Sequence, residues 1–225
     1  MMPPRVVMKR LHTDCQARQL DQQPLDQRSV EWVTCTFTNL FEGSFGSDVQ
    51  YGRYTWRCAE ALSQYIVGNC EQVHGKRILE VNLGAGTGLC GLVASLCGAS
   101  WVTFSDRDHT LEGDLLRSAQ SNGITQFDFC VLDWEFPTRY WRPRPFDLIL
   151  ASDTLFDKRG KLTAQTAALL LSSLTDAYLL LSIEPRCSFT DISILMKKYS
   201  LCSKLECAQT SRCEPIQIYR VEFQK

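Results

Sequence analysis

The chain has 225 residues and a formal net charge of −1, with 44% hydrophobic and 22% charged residues. This length supports one sizeable core rather than two full domains, and the composition is ordinary for a soluble globular protein. The lack of a basic balance argues against direct nucleic-acid binding. Polar residues interrupt the apolar-rich stretch 169–183, so we predict no membrane span.

Eleven cysteines do not predict a disulfide framework here. The start of the chain lacks an apolar signal-peptide core, which makes a reducing compartment the default expectation. No Cys-x-x-Cys pair occurs and the three histidines are scattered, so we predict no metal site. We interpret the cysteines as buried free thiols.

The first part of the chain is polar and glutamine-rich, and we predict a flexible tail over residues 1–30 followed by one domain over residues 31–225. Residues 31–41 alternate and are rich in β-forming residues, which indicates a strand or hairpin. From residue 55 to residue 70, apolar residues recur at helical spacing, which predicts a helix.

Strands and helices then alternate, with strands predicted at 77–83, 100–105, 127–132, 146–152 and 177–183 and helices at 89–97, 111–121, 161–174 and 190–199. Such alternation predicts a mostly parallel sheet with helices on both faces. Two final β-like runs, 201–208 and 216–223, have no helix between them and indicate an antiparallel hairpin. The expected fold class is α/β and Rossmann-like, with seven strands.

Residues 78–88, Ile-Leu-Glu-Val-Asn-Leu-Gly-Ala-Gly-Thr-Gly, are the most informative stretch. Gly84, Gly86 and Gly88 separate an apolar run from an apolar segment, which is the pattern of a strand, a tight turn and a helix. Amides at such a helix start receive polar or anionic groups. Asp106 ends the next strand, where a carboxylate accepts hydrogen bonds from ribose hydroxyls. The pattern predicts an adenosine-containing cofactor.

Two cofactors fit these glycines. The run Gly86-Thr-Gly88-Leu-Cys-Gly91 matches the dinucleotide fingerprint G-x-G-x-x-G, which is typical of NAD-dependent enzymes. The spacing Gly84-x-Gly86-x-Gly88 instead resembles the loop of S-adenosylmethionine enzymes. A dehydrogenase would also need a separate substrate-binding region, for which the rest of the chain is short, so the methyl donor is favoured.

Later motifs also favour the methyl donor. Asp133-Trp134 follows the third strand, where a carboxylate and an aromatic face can hold an adenine ring. The segment 146–156 ends in Asp153-Thr-Leu-Phe156, after the fourth strand. Ligands of α/β sheets bind at the carboxyl ends of strands, which makes Asp153 and Phe156 the catalytic candidates on the substrate side. Asp153 would orient a cationic side chain, and Phe156 would supply an aromatic wall.

Residues 51–225 resemble the methyltransferase-like family of seven-β-strand protein methyltransferases, closest to its histone-arginine type. The resemblance is carried by Tyr51-Gly-Arg-Tyr-Thr-Trp56, by the glycine loop, and by Leu132-Asp-Trp-Glu135 and Leu150-Ala-Ser-Asp-Thr-Leu-Phe156. It implies a class I methyltransferase fold and S-adenosylmethionine as cofactor. The residues that it implies around the cofactor are Trp56, Gly84, Ala85, Gly86, Asp106, Asp133, Trp134 and Ala151, in addition to Gly88 of the loop itself. Tyr51 and Arg186 are weaker candidates.

One position departs from the family. The acid expected two residues before the first glycine is replaced by Asn82, which can accept a hydrogen bond from the cofactor's ammonium group but carries no negative charge. The nearest acid of this strand, Glu80, lies two residues earlier. A shift of two residues along a strand is about 7 Å, so we do not expect Glu80 to replace the missing acid.

The sequence leads to one main hypothesis and several alternatives. The main one is a protein methyltransferase that modifies a side-chain nitrogen, arginine in a histone by resemblance. The alternatives are a lysine methyltransferase, a catalytically weak cofactor-binding module, and a small NAD-dependent reductase. The expected partner is a protein substrate, a histone or a chaperone, with no nucleic acid and no membrane. We expect a monomer in the cytoplasm and nucleus.

Overall fold

A computed structural model describes the chain at residues 5–11, 30–36, 54–81, 86–137, 145–155, 160–174, 176–184, 189–209 and 215–224. The strands are β1 (Arg5–Leu11), β2 (Val30–Thr36), β3 (Arg77–Val81), β4 (Trp101–Asp106), β5 (Phe127–Val131), β6 (Leu148–Ser152), β7 (Tyr178–Ile183), β8 (Leu201–Gln209) and β9 (Ile216–Phe223). The α-helices are α1 (Arg57–Gly68), α2 (Leu89–Leu96), α3 (Glu112–Ser121), α4 (Gly160–Ser172) and α5 (Phe189–Lys197).

Seven strands form one sheet in the order β5-β4-β3-β6-β7-β9-β8. The first five strands of this order pair in parallel, whereas β9 pairs antiparallel with both β7 and β8. The predicted fold class, including the C-terminal hairpin, is confirmed. The chain runs outward from β3 to β5 and then returns to β6 beside β3. Ligands of open α/β sheets bind at such a reversal of strand order.

The sheet is buried on both faces. In β6, Leu148 and Leu150 belong to the apolar cluster that includes residues of α1, α2 and α3, whereas Ile149 and Ala151 belong to the cluster that includes residues of α4 and α5. Successive side chains of a strand point to opposite faces, so a strand covered on both sides needs an unbroken apolar run. This requirement explains the sequence Leu-Ile-Leu-Ala. None of the helices within the described residues has the length and apolarity to cross a membrane.

The N-terminal region differs from its prediction. Residues 5–11 form β1, which pairs antiparallel with β2 from Arg5 opposite Thr36 to Leu11 opposite Val30. The predicted flexible tail is therefore wrong at residues 5–11, because the β-forming residues of Arg-Val-Val-Met-Lys-Arg-Leu find a partner strand. Residues 1–4 and 12–29 lie outside the described residues. The predicted strand within 31–41 is confirmed at its start.

Candidate active site

The described end of the glycine loop has the backbone conformation that its sequence predicts. Gly86 and Gly88 have φ values of 56° and 69°, in the left-handed region that side chains disfavour. Gly88 is the N-cap of α2, and a Cβ there would collide with Leu115 and lie 3.0 Å from the Phe104 ring. Glycine at residue 88 is thus required by both conformation and space. The candidates Gly84 and Ala85, together with Asn82, fall outside the described residues.

Glu80 anchors the helix that follows this loop. Its side chain is 1% exposed, and the Gly91 N–H of α2 donates a hydrogen bond to its Oε2 at 2.8 Å. A carboxylate is favourable near a helix N-terminus because the dipole places partial positive charge there. A Cβ on Gly91 would lie 2.6 Å from that oxygen. The acid of β3 therefore points into the contact between strand and helix, and this bond holds the start of α2 against the sheet.

Asp106, at the end of β4, faces the glycine loop. Its carboxyl group accepts hydrogen bonds from Gly86 N–H at 3.4 Å and from Asp108 N–H at 2.9 Å. The residue is 3% exposed, and this burial raises the pKa of the carboxyl group to about 6, although the backbone bonds act in the opposite direction. Asp108 instead caps the 3₁₀ helix His109–Leu111 by accepting from Thr110 N–H. Asp106 is thereby left facing the place where the loop would hold a ligand.

The segment 54–58, which we call the bridging segment, connects this loop to β7. The Thr55 and Thr87 hydroxyl groups lie 3.0 Å apart. At the other end of the segment, the Ser182 hydroxyl of β7 donates to the Cys58 carbonyl at 2.9 Å. Trp56 lies between these two contacts as the N-cap of α1, and its half-buried ring makes an edge contact with Tyr54. Trp56 is thus positioned between the glycine loop and the end of β7.

Asp133 and Trp134 follow β5, beside Asp106. The Leu132 N–H donates to the Asp106 carbonyl at 3.0 Å, and Asp133 closes a turn by accepting from Glu135 N–H at 2.9 Å. Trp134 is 8% exposed and belongs to the apolar cluster on the α4 and α5 side of the sheet. Asp133 therefore lies at the carboxyl edge of the sheet, where α/β proteins bind ligands, whereas most of the Trp134 ring packs in the core. Adenine binding by this pair stays a prediction.

The end of β6 carries a strained turn. Ala151 is buried, and Asp153 has a φ of 51°, which is uncommon for a residue other than glycine, although aspartate tolerates it better than most. The Asp153 N–H donates to the Ser182 carbonyl at 2.8 Å, and the Thr163 hydroxyl donates to the Thr154 carbonyl at 2.7 Å. These bonds hold the turn from both sides. The candidates Phe156, Tyr51 and Arg186 lie outside the described residues.

A second carboxylate follows the neighbouring strand. Glu184 comes directly after β7, and its Oε1 lies 3.2 Å from Nη1 of Arg57 at the start of α1. Asp153 and Glu184 follow adjacent parallel strands and therefore stand at the same edge of the sheet. Sequence reasoning missed Arg57, Thr55, Thr87 and Ser182. Their contacts join residues far apart in the chain, and no local pattern distinguishes them from ordinary polar residues.

Buried thiols lie beneath this site. Cys58 and Cys90 are almost fully buried, and burial, followed by the neighbouring Glu80 charge, raises the pKa of the Cys90 thiol well above its usual range. The Ser63 hydroxyl contacts Cys90 Sγ at 3.7 Å. The structure describes the side chains of seven cysteines; all seven are free thiols, and four of them are buried. A neutral thiol of this kind is a packing element rather than a nucleophile.

Comparison with known proteins shows which proteins this chain is similar to. A family model described as "Lysine methyltransferase" matches residues 43–187. The histone-arginine methyltransferase METTL23 of Mus musculus is 36% identical over 111 residues, which cover 48% of this chain and 43% of that protein. The protein N-lysine methyltransferase METTL21A of Mus musculus is 34% identical over 108 residues, covering 45% of this chain and 46% of that protein. The chain spans about half the length of the curated relatives that it matches.

Solved structures share the fold. The ribosomal protein L11 methylase of Lactobacillus delbrueckii superposes with a TM-score of 0.57 at 17% identity, covering 76% of this chain and 81% of that one. Magnesium protoporphyrin IX methyltransferase of Synechocystis with bound SAH gives a TM-score of 0.58 at 15% identity, covering 82% and 90%. At such identities the likeness concerns the fold alone. The family resemblance noted in the sequence is confirmed by the family model and by the METTL23 and METTL21A relatives.

Proposed function

The chain belongs to the lysine methyltransferase family that matches its residues 43–187, and from this premise we propose that it is an S-adenosylmethionine-dependent protein methyltransferase. One observation carries the proposal. Asp106 is a buried carboxylate that faces a left-handed glycine loop at the point where the sheet reverses its strand order. A carboxylate placed there suits the hydroxyl groups of a ribose.

The residues present fit this cofactor. Gly86 and Gly88 form the turn before α2 beside which the cofactor would lie, Asp106 would accept from the ribose, and Asp133 with Trp134 would border the adenine. Trp56, held between two anchored contacts, would cover the cofactor, and Ala151 would contact it at the strand end. When bound, the cofactor supplies an electrophilic methyl group on a sulfonium sulfur. The contribution of the protein is then orientation of the acceptor and exclusion of water.

On the substrate side, Asp153 would accept a hydrogen bond from the acceptor nitrogen and direct its lone pair toward the methyl group. The strained turn supports this role, because backbone strain of this kind concentrates at functional sites. Phe156 would supply an aromatic wall for the cationic side chain. A lysine acceptor must first lose a proton, whereas an arginine nitrogen needs mainly to be held in place by carboxylates.

The acceptor that we propose is an arginine side chain of a protein, a histone by similarity to METTL23. The alternative acceptor is lysine, which the family description and the METTL21A relative favour. A catalytically weak cofactor-binding module is the other alternative, because Asn82 replaces the expected acid. A chaperone is an alternative protein substrate. We propose action as a monomer in the cytoplasm and nucleus, without nucleic acid or membrane as a partner.

The test is transfer of a radiolabelled methyl group from S-adenosylmethionine to core histones and to a cytosolic extract, with mass spectrometry of the labelled protein. We expect labelling by the wild type and its loss on Asp153→Ala. Asp176→Ala is the matched control, because Asp176 also has positive φ, 59°, but lies before β7 at the opposite edge of the sheet. Equal labelling by wild type and Asp153→Ala would remove Asp153 from the mechanism. SAH binding without any labelling would favour the binding module.

A further inference from the structure

An ion pair spans one side of the cleft, between the bridging segment and the end of β7. Arg57 Nη1 lies 3.2 Å from Glu184 Oε1, and the two side chains are 42% and 26% exposed. Glu184 lies two residues beyond Ser182, whose carbonyl accepts the Asp153 N–H. The guanidinium group of Arg57 is therefore already bound to the Glu184 carboxylate. Glu184 follows the strand next to the one that ends before Asp153, the residue that we place against the acceptor nitrogen.

The ion pair is not needed to hold α1 in place. The start of α1 is fixed to β7 by the buried hydrogen bond from Ser182 to the Cys58 carbonyl, and the preceding residues are fixed to the glycine loop through Thr55 and Thr87. A partly exposed ion pair of this kind changes an equilibrium constant by a factor of about five at most. Replacement of Arg57 by another cation at Glu184 therefore costs little free energy.

We propose that Arg57 is a built-in competitor for the substrate cation and so determines substrate affinity. In the substrate-free protein its guanidinium group occupies Glu184, and an arriving arginine side chain replaces it there, beside Asp153. The displaced Arg57 side chain turns into water, which a long charged side chain does readily. An arginine substrate is favoured because its planar fork can bond a carboxylate through two N–H groups, whereas lysine offers a point charge.

This inference rests on the proposed function, and it makes a specific kinetic prediction. Removing the competitor should lower the KM for a cationic substrate and leave kcat and cofactor affinity unchanged, because Arg57 does not touch the reacting atoms. A purely structural role would produce the opposite, namely lower stability and weaker binding of both substrate and cofactor.

The experiment uses the isotope-labelled full chain saturated with SAH and titrated with Nα-acetyl-arginine methylamide, with the amide signals of Asp153 and Glu184 followed by NMR. We expect Arg57→Gln to lower the half-saturation concentration about two- to fivefold relative to wild type. Arg57→Lys, which keeps the charge, should behave as the wild type. Glu184→Gln should raise the half-saturation concentration, and adding Arg57→Gln to it should then have no further effect.

The control is Arg117→Gln, which removes the same charge from an ion pair between the exposed Arg117 side chain and the largely buried Asp114 of α3. It should leave the titration unchanged. Equal half-saturation concentrations for wild type and Arg57→Gln, or an equal gain from Arg117→Gln, would overturn the inference while SAH binding persists. Failure of the wild type to bind SAH would instead overturn the proposed function itself. Tighter binding of the lysine counterpart than of the arginine compound would contradict the preference for arginine.

Discussion

At Asp106, burial and ligand binding have opposite effects on the ionisation of the carboxyl group. Burial removes the carboxylate from water and disfavours the ionised form, so the pKa rises to about 6 although the backbone N–H groups that donate to it lower the pKa. Ribose hydroxyl groups donate hydrogen bonds and therefore favour the ionised form. Cofactor binding and ionisation of Asp106 should thus be coupled.

This coupling predicts that SAH binding depends on pH. Because the ionised carboxylate is the form that accepts from the ribose, affinity should be complete above pH 7 and fall as the pH drops through about 6. At pH 5 it should be about tenfold weaker than at pH 7. Titration calorimetry across this range measures the effect, and Asp106→Asn should bind more weakly at pH 7 and lose the pH dependence. An unchanged affinity from pH 7 to pH 5 would show that Asp106 does not contact the cofactor.

Gly91 provides a second test at the residue scale, this time of stability. A Cβ at this position would lie 2.6 Å from Glu80 Oε2, 2.6 Å from the Phe104 ring and 2.8 Å from Val102 Cγ1. Gly91→Ala should therefore lower the free energy of unfolding by about 1–3 kcal/mol. The control is Gly113→Ala in α3, where the nearest atom is Arg117 Nη1 at an ordinary 3.5 Å. Urea unfolding measures both variants, and equal stability of Gly91→Ala and wild type would refute the packing described for α2.

At the scale of elements, the bridging segment joins the glycine loop to β7. Hydrogen bonds at Thr55 and at Cys58 fix the two ends of this segment, so the position of Trp56 depends on both the glycine loop and β7. The contact between the Thr55 and Thr87 hydroxyl groups is easier to test than the one at the Cys58 carbonyl. Valine has nearly the same shape as threonine and lacks the hydroxyl group.

Thr55→Val and Thr87→Val should each reduce SAH affinity about two- to fivefold, because each leaves one hydroxyl without this partner. The double variant should be no weaker than either single variant, since the same contact is removed only once. Thr125→Val, at an exposed residue before β5, is the control. Strictly additive losses in the calorimetric titrations would mean that the two residues act independently and that the segment is not coupled to the loop.

The elements themselves follow closely from the sequence. The predicted helix at 55–70 is α1 at Arg57–Gly68, and the predicted hairpin strands at 201–208 and 216–223 are β8 and β9. Apolar periodicity and turn residues act locally, so they are readable from one sequence. The partner of residues 5–11 was not readable, because strand pairing depends on β2, which is not adjacent in the chain and begins only at Val30.

The site was predictable in part for the same reason. The glycine conformations and the placement of Asp106 beside them follow from motif spacing within one βαβ unit. The ion pair of Arg57 with Glu184 and the bond from Ser182 to Cys58 join residues more than 120 positions apart. Such contacts depend on how α1 packs over the sheet, and that packing leaves no signature in local composition.

At the scale of the whole molecule, the sheet places four acidic residues of the candidate site at the carboxyl edge of its strands. Asp106 ends β4, Asp133 follows β5, Asp153 follows β6 and Glu184 follows β7. Because parallel strands end at the same edge, one fold assembles a ligand loop and two carboxylates from distant parts of the chain. The central claim is that this edge binds the methyl donor.

Titration calorimetry of the full chain with SAH at pH 7.5, in wild type and Asp106→Asn, tests that claim most directly, with NAD as the comparison ligand. We expect one saturable SAH site in the wild type and no binding of NAD. SAH affinity should be at least about tenfold weaker in Asp106→Asn, since hydrogen bonds to a charged group are strong. The absence of SAH binding to the folded wild type, equal SAH affinity of the two proteins, or saturable binding of NAD would contradict the claim.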